Sequence, residues 1–167
     1  FNASNIPVEA QEANHPIIVE RFEFIRDSSG PGKFRGGSGV RRDMKFLANE
    51  GKLTNLAERQ RFAPYGLFGG KPGKRGQTVI NPGPSERVIH AKESCEFEYG
   101  DVISFQQPGA GGYGVPAERD PQKVLNDVLD DFISRETARD AYGGVIDPTT
   151  WTVDATATER LRATMRI

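Results

Sequence analysis

Cysteine and histidine are scarce in this chain of 167 residues, which contains one cysteine and two histidines. The single thiol of Cys95 cannot close an internal disulfide, so a small secreted domain held by disulfides is excluded and a reducing compartment, the cytoplasm, is favoured. A metal site needs several converging His, Cys or carboxylate ligands. His15 and His90 are far apart in the sequence, and we therefore expect no metal site in this chain.

Long apolar runs and long runs of one charge are also missing. No stretch of about 18 apolar residues occurs, so the sequence predicts no membrane-spanning helix, and no segment has the pattern of a signal peptide. The net charge is −1, with both signs interspersed along the chain. A nucleic-acid-binding protein usually carries a basic patch. We therefore expect neither a membrane nor a nucleic acid as partner.

Glycine and proline, by contrast, are abundant. The chain has 19 glycines and 11 prolines, while hydrophobic residues make up only 36% of it. This turn-rich composition favours a β-rich body, or a piece that normally packs against a larger partner. The length is that of one domain.

Alternating apolar and polar residues predict a series of strands before residue 116. The predicted strands cover residues 17–26, 40–47, 53–59, 78–80, 87–91 and 101–106. Residues 1–15 are interpreted as an extended N-terminal segment, and residues 49–51 as a hairpin connection between the second and third strands. Strands every ten to fifteen residues, separated by glycine-rich turns, are typical of a sandwich- or barrel-like body.

The pattern becomes helical after Pro116. Asp120 and Pro121 form an N-cap followed by proline at the first helical position, and apolar residues then recur at helical spacing from Val124 to Phe132. A shorter helix is predicted from Ser134 to about residue 143, and a third over residues 154–166. The expected fold is α+β, mainly β, with a glycine-loop body over residues 1–116 and a helical tail over residues 117–167.

Two glycine-rich motifs invite ligand-binding interpretations. Residues 109–114 match the dinucleotide pattern G-x-G-x-x-G, but Pro116 and a charged segment intervene before the next predicted helix. Residues 69–74 do not match the sequence pattern of a phosphate-binding P-loop, since no Ser or Thr follows either lysine. Lysines beside main-chain N–H groups could still hold an anion there. The favoured interpretations are closely approaching backbone at 109–114 and a solvated surface loop at 69–74.

Isolated polar side chains offer two further candidates. Arg35, Arg41 and Arg42 could form an anion-binding patch, although scattered arginines on strand faces are usually solvated or ion-paired. His90 and Cys95 could form a nucleophilic pair, but a buried cysteine with an exposed histidine is the favoured interpretation. Residue chemistry alone therefore indicates a glycine-loop-rich β body with a helical tail.

Taken in order, the loops resemble the C-terminal part of the hydantoinase B/oxoprolinase family. The run Asp-Ser-Ser-Gly-Pro-Gly-Lys-Phe-Arg-Gly-Gly-Ser-Gly fills residues 27–39, and Pro-Tyr-Gly-Leu-Phe-Gly-Gly-Lys-Pro-Gly fills residues 64–73. Other matching segments lie at residues 5–9, 19–21, 58–59, 100–102, 108–114, 118–121, 128–139 and 142–143. The resemblance spans roughly residues 5–146. Ala110 departs from it, because the family usually has a run of four glycines there, and Gly144 is a smaller departure.

This resemblance implies a part in the ATP-dependent opening of a cyclic amide, such as hydantoin or 5-oxoproline. It implies a hydantoinase A-type partner subunit that uses ATP and Mg to phosphorylate the carbonyl oxygen. It also implies a divalent metal in the N-terminal portion of the B-type subunit. No residue of this chain matches that metal site, so we expect a C-terminal segment without catalytic residues or cofactors of its own. It would be inactive when isolated, and its partners in a cytoplasmic hetero-oligomer would be the N-terminal portion and the A-type subunit.

We expect the glycine loops to line the active-site wall or a partner interface. The candidate residues are Arg35, Gly36, Gly37, Gly69, Gly70, Lys71, Gly109, Gly111, Gly112 and Tyr113. Two alternatives stay open at this stage. The chain could belong to a related acetone or acetophenone carboxylase, or it could be a stand-alone β-sandwich module that binds a ligand without a larger partner.

Overall fold

The computed structural model of the protein describes residues 4–165. The strands are β1 (Ile17–Phe24), β2 (Val40–Phe46), β3 (Glu50–Leu56), β4 (Gln77–Ile80), β5 (Arg87–Ile89), β6 (Lys92–Glu98) and β7 (Val102–Gln106). The helices are α1 (Val8–Asn14), α2 (Pro121–Leu129), α3 (Arg135–Tyr142) and α4 (Ala155–Met165), with a single 3-10 turn at Pro116–Glu118. The expected α+β class is therefore confirmed.

The strands form two sheets. The larger sheet has the order β1-β2-β7-β4-β5, and β3 pairs with β6 in a separate antiparallel ribbon. Side chains alternate across β6, so that Cys95 and Phe97 point into a core shared with Ile80, Ile89 and Ile103 of the larger sheet. The arrangement is sandwich-like. Within residues 4–165 neither sheet closes into a barrel, so the barrel alternative does not describe this protein.

The prediction of an extended segment over residues 1–15 is wrong over residues 8–14. Residues Val8–Asn14 form α1. Pro7 precedes the first turn, where its missing N–H costs nothing, and Glu9 lies in that turn, where a negative charge favours the helix. Residues 1–3 lie outside the described part of the chain.

The predicted hairpin at residues 49–51 is also wrong, because β2 and β3 lie in different sheets. The partner of β3 is β6, a strand that the sequence interpretation missed. Charged residues at four of its seven positions hid the short apolar alternation of Cys95 and Phe97. The other predicted strands are confirmed to within a few residues.

The three helices predicted after Pro116 are confirmed. The Asp120 carboxylate accepts a hydrogen bond from the Gln122 N–H (2.8 Å) at the start of α2. The Ser134 hydroxyl accepts one from the Thr137 N–H (3.0 Å) at the start of α3, which ends at Gly143 in the left-handed region. None of the helices in residues 4–165 has the length and apolar character needed to cross a bilayer.

These helices build a second core. Val124, Val128, Ile133, Ala138 and Tyr142 are its buried members. Leu129 belongs to the apolar sequence pattern, but it lies at the end of α2 and is 55% exposed.

The chain separates into two compact units. Among the described residues, the first contains 4–23, 40–58 and 77–106, and the second contains 24–39, 59–76 and 107–165. The strands β1–β7 all precede residue 116 and α2–α4 follow it. A division into domains at that residue stays a prediction.

Candidate functional site

The second unit brings together three glycine-rich segments, residues 28–39, 64–76 and 107–115, which we call the glycine platform. The Lys71 N–H donates to the Pro31 carbonyl (2.7 Å), and the Lys71 carbonyl accepts from the Gly112 N–H (2.9 Å). The Gly30 N–H donates to the Ala110 carbonyl (2.8 Å). Main-chain bonds thus join each segment to the other two, and all ten candidate site residues lie on this platform.

Glycine is required on the platform because neighbouring backbones approach closely. A Cβ atom added at most of its glycines would overlap a carbonyl oxygen of another residue. The overlapping pairs include Gly36 with Ala110, Gly70 with Gly112, Gly109 with Ser28, Gly111 with Tyr65, and Gly112 with Pro31. The interpretation of residues 109–114 as closely approaching backbone is confirmed, and α2 begins only at Pro121, too far along the chain for a dinucleotide motif.

Two candidate glycines differ from the rest. At Gly37 the nearest atom to an added Cβ would be the Ala110 Cβ, 4.0 Å away, so this position has room for a side chain. Gly69 has a φ of 91°, a backbone angle that L side chains rarely adopt. Glycine is therefore required at position 69 because of the backbone angle. At position 37 neither the backbone angle nor a lack of space requires glycine.

Arg35 is held by a buried carboxylate rather than directed at solvent. Its Nε donates to Asp127 Oδ1 (3.1 Å), and Arg119 Nε donates to Asp127 Oδ2 (3.0 Å). The side chains of Arg35, Arg119 and Asp127 are 15%, 11% and 9% exposed. The Arg35 guanidinium also lies 4.6 Å from the centre of the Phe132 ring. The arrangement fastens the first platform segment to α2.

Sequence reasoning did not identify Arg119 or Asp127. A signal existed for Asp127, which falls among Val124, Leu125 and Val128 on the buried face of α2. Since an unpaired charge in such a place is costly, its position already required a cationic partner.

Arg41 and Arg42, the other members of the suggested anion patch, are engaged on β2. Arg41 Nη2 lies 2.7 Å from Asp43 Oδ2, and Arg42 stacks 4.4 Å from the centre of the Phe22 ring. Burial raises the pKa of Asp43, but hydrogen bonds from Arg41 and Ser104 and the nearby positive charges outweigh it and hold that pKa below its ordinary value. The ion-paired interpretation applies to Arg41.

Cys95 is buried in the first core and His90 is exposed. This confirms the favoured interpretation of a buried cysteine with an exposed histidine. In the part of the chain that the structure describes, no three His, Cys, Asp or Glu residues come together in a way that could hold a metal ion.

The platform carries exposed aromatic rings on its outer surface. The Tyr113 ring lies with its centre 6.1 Å from that of Phe34 and 5.0 Å from that of Phe68. Isolated β-bridges join Tyr113 to Phe34 and to Leu67. Of these four residues, only Tyr113 was a sequence-based candidate. The others were missed because Phe34 lies on one glycine-rich segment and Leu67 and Phe68 on another, far from Tyr113 in the sequence.

Both the sequence and the fold of this chain are similar to those of known proteins. The family model described as hydantoinase B/oxoprolinase matches residues 1–116. The B subunit of a putative D-/L-hydantoinase from Pseudomonas sp. (strain NS671) is 36% identical over 148 residues, which are 87% of this chain and 25% of that protein. The crystal structure of the ATP-dependent caprolactamase from Pseudomonas jessenii has a TM-score of 0.83 and 29% identity, covering 94% of this chain and 28% of the other.

A third likeness concerns the fold alone. The nucleotide-free structure of acetone carboxylase has a TM-score of 0.81 at 20% identity, covering 96% of this chain and 26% of the other. The chain thus spans about a quarter of the length of these relatives, as expected of a segment of a longer subunit. Its match over residues 1–116 establishes that the chain belongs to the hydantoinase B/oxoprolinase family.

Proposed function

We propose that this chain is the C-terminal portion of a subunit of an ATP-dependent hydrolase that opens a cyclic amide. The observation that carries the proposal is its likeness, over nearly its whole length, to a protein described as an ATP-dependent caprolactamase. The similarity to the B subunit of a hydantoinase supports the same class of substrate. Lactams and hydantoins share a ring amide, so the common chemistry is attack on an unreactive carbonyl.

In this proposal the segment contributes structure and an interface. Asp127 pairs with both Arg35 and Arg119, and main-chain packing occupies most of the platform glycines. These groups are therefore engaged in holding the fold. ATP with Mg would act on a hydantoinase A-type partner subunit, where phosphorylation of the carbonyl oxygen would activate the ring carbon for attack by water, so that the ring C–N bond can break. The divalent metal would lie in the N-terminal portion of the B-type subunit.

The two alternatives receive less support. The likeness to acetone carboxylase is at 20% identity and carries the fold only. A stand-alone binding module would account for the sandwich-like body, but not for a match that covers about a quarter of much longer relatives. The hydrolase proposal accounts for both observations.

The experiment that tests the proposal uses the complete B-type subunit containing these residues, produced together with its A-type partner. Hydantoin, 5-oxoproline and caprolactam are each supplied with ATP and Mg, and ring-opened product and ADP are quantified. We expect ring opening of at least one of them with matching ADP formation. ATP-driven consumption of acetone with bicarbonate would instead favour the carboxylase alternative, and turnover of none of these substrates would overturn the proposal. The 167-residue chain alone is the control and should be inactive.

A further inference from the structure

The geometry points to a docking surface on the glycine platform, and we infer that it binds the part of the same subunit that lies outside this chain. The surface is the aromatic cluster, which consists of Phe34, Leu67, Phe68 and Tyr113. The inference rests on the proposed function in one respect, namely that the complete protein is a B-type subunit.

The aromatic cluster is contiguous and open to solvent. Tyr113 occupies its centre and is 48% exposed, while Phe34, Leu67 and Phe68 are 58%, 50% and 75% exposed. The ring distances to Phe34 and Phe68 place all three rings in one patch. Single exposed apolar residues are ordinary, but a contiguous aromatic patch marks an interaction surface, and aromatic residues are enriched in the cores of interfaces.

Main-chain hydrogen bonds order the backbone from which these side chains project. Phe34 and Tyr113 exchange main-chain hydrogen bonds of 3.0 Å in both directions, and the Leu67 N–H donates to the Gly112 carbonyl (2.9 Å). Phe68 has a φ of 50°, which is an unfavourable angle for a bulky residue. The backbone is therefore strained at Phe68, which has the most exposed ring of the cluster. A backbone that is already ordered loses little conformational entropy when a partner covers its side chains.

The most suitable occupant is the remainder of the subunit. About three quarters of the hydantoinase subunit and of the caprolactamase chain has no counterpart in these 167 residues. Residues 59–76 contain no carboxylate. They contain five basic residues, which are Arg59, Arg61, Lys71, Lys74 and Arg75. The segment that carries Leu67 and Phe68 is therefore net positive, so a face that bears carboxylates would complement it better than the same segment of a second copy. The covering face is expected to be apolar with carboxylates at its rim.

Site-specific photo-cross-linking in the complete subunit, produced together with its A-type partner, tests this inference. p-Benzoylphenylalanine replaces Phe68, and in a control protein it replaces Leu56 of the first unit, which has the same exposure of 75%. We expect irradiation to give an intrachain cross-link from position 68 to a residue outside these 167, several-fold more abundant than any such product from position 56. Peptide mapping by mass spectrometry identifies the linked residues.

Three outcomes would overturn the inference: cross-linking to the A-type subunit, cross-linking to a second copy, or the absence of products beyond these 167 residues. The readout needs no substrate, so it is separate from turnover. An intrachain cross-link in a protein without ATP-dependent activity would leave the docking surface standing and count against the proposed function. An active enzyme without that cross-link would remove the docking surface alone.

Discussion

Arg35 Nε lies 3.1 Å from Asp127 Oδ1, and this contact joins the glycine platform to the first helix of the tail. Arg119 Nη2 lies 2.9 Å from the other oxygen of the same carboxylate. One buried anion therefore serves two nearly buried cations that come from different parts of the second unit. A carboxylate in this position determines whether both guanidinium groups can remain out of water.

Substitution of Asp127 should therefore be costly. Asp127→Asn leaves Arg35 and Arg119 without a counter-charge, and we expect it to lower the free energy of unfolding by about 3–5 kcal/mol. Denaturant unfolding followed by circular dichroism measures the change. Asp130→Asn, at the exposed end of the same helix, is the control and should stay within about 0.5 kcal/mol of the parent chain. Equal midpoints for the two variants would show that the ion pairs of Asp127 with Arg35 and Arg119 do not stabilise the fold.

The adjacent glycines 36 and 37 should respond differently to the same substitution. Gly36→Ala would place a methyl group against the Ala110 carbonyl oxygen, so we expect a loss of about 3 kcal/mol or more. Gly37→Ala has open space, and the smaller entropy of the unfolded chain should leave stability unchanged or raised by about 0.4–1 kcal/mol. The midpoints of thermal unfolding of the two variants measure the difference. Similar losses in both would mean that close backbone approach is not the reason for Gly36.

The sequence was sufficient for elements whose signals are local. Asp120 with Pro121, and Ser134 with Gly143, mark helix ends through caps that involve only neighbouring residues. The apolar spacing around Val124 and Val128 likewise identifies the buried face of α2. Such features depend on the chain within one or two turns, so they can be deduced without knowledge of the fold.

The features that escaped prediction depend on distant partners. β6 is recognisable only once β3 lies beside it, with Leu53 opposite Cys95. The aromatic cluster likewise arises because the platform brings Phe34 and Phe68 to Tyr113 from separate segments. The resemblance to a family directed attention to these loops, but it did not show that most of their glycines pack against the backbone of another segment.

Asp43 should make the free energy of unfolding of the first unit depend on pH in the acidic range. Because Arg41 and Ser104 lower its pKa in the folded state, its contribution is present above its ordinary pKa and is lost as pH falls through the lowered value. Asp43→Asn should be less stable than the parent chain by about 2 kcal/mol at pH 7. The gap should persist at about pH 5 and shrink below about pH 4. Free energies of unfolding at these pH values test this, and a gap that does not change with pH would contradict it.

The two cationic candidates on the platform, Arg35 and Lys71, can be separated by stability alone. Arg35 is 15% exposed, is bonded to Asp127 and Ser38, and stacks on Phe132, so Arg35→Ala should cost about 2–4 kcal/mol. Lys71 is exposed and contributes its main-chain N–H and carbonyl to the platform, which alanine retains. Lys71→Ala should therefore stay within about 0.5 kcal/mol of the parent chain in denaturant unfolding.

A double-variant cycle then isolates the contact itself. If Arg35 acts through Asp127, Arg35→Ala combined with Asp127→Asn should cost less than the sum of the two single losses, by about 1–3 kcal/mol. Lys71→Ala combined with Asp127→Asn should be additive within about 0.5 kcal/mol. Additivity in both pairs would mean that Arg35 stabilises the platform through Phe132 and Ser38 rather than through the carboxylate. In either case, an effect of Lys71→Ala on turnover of the complete enzyme, at unchanged stability, would indicate that the Lys71 ammonium group meets a partner or a substrate.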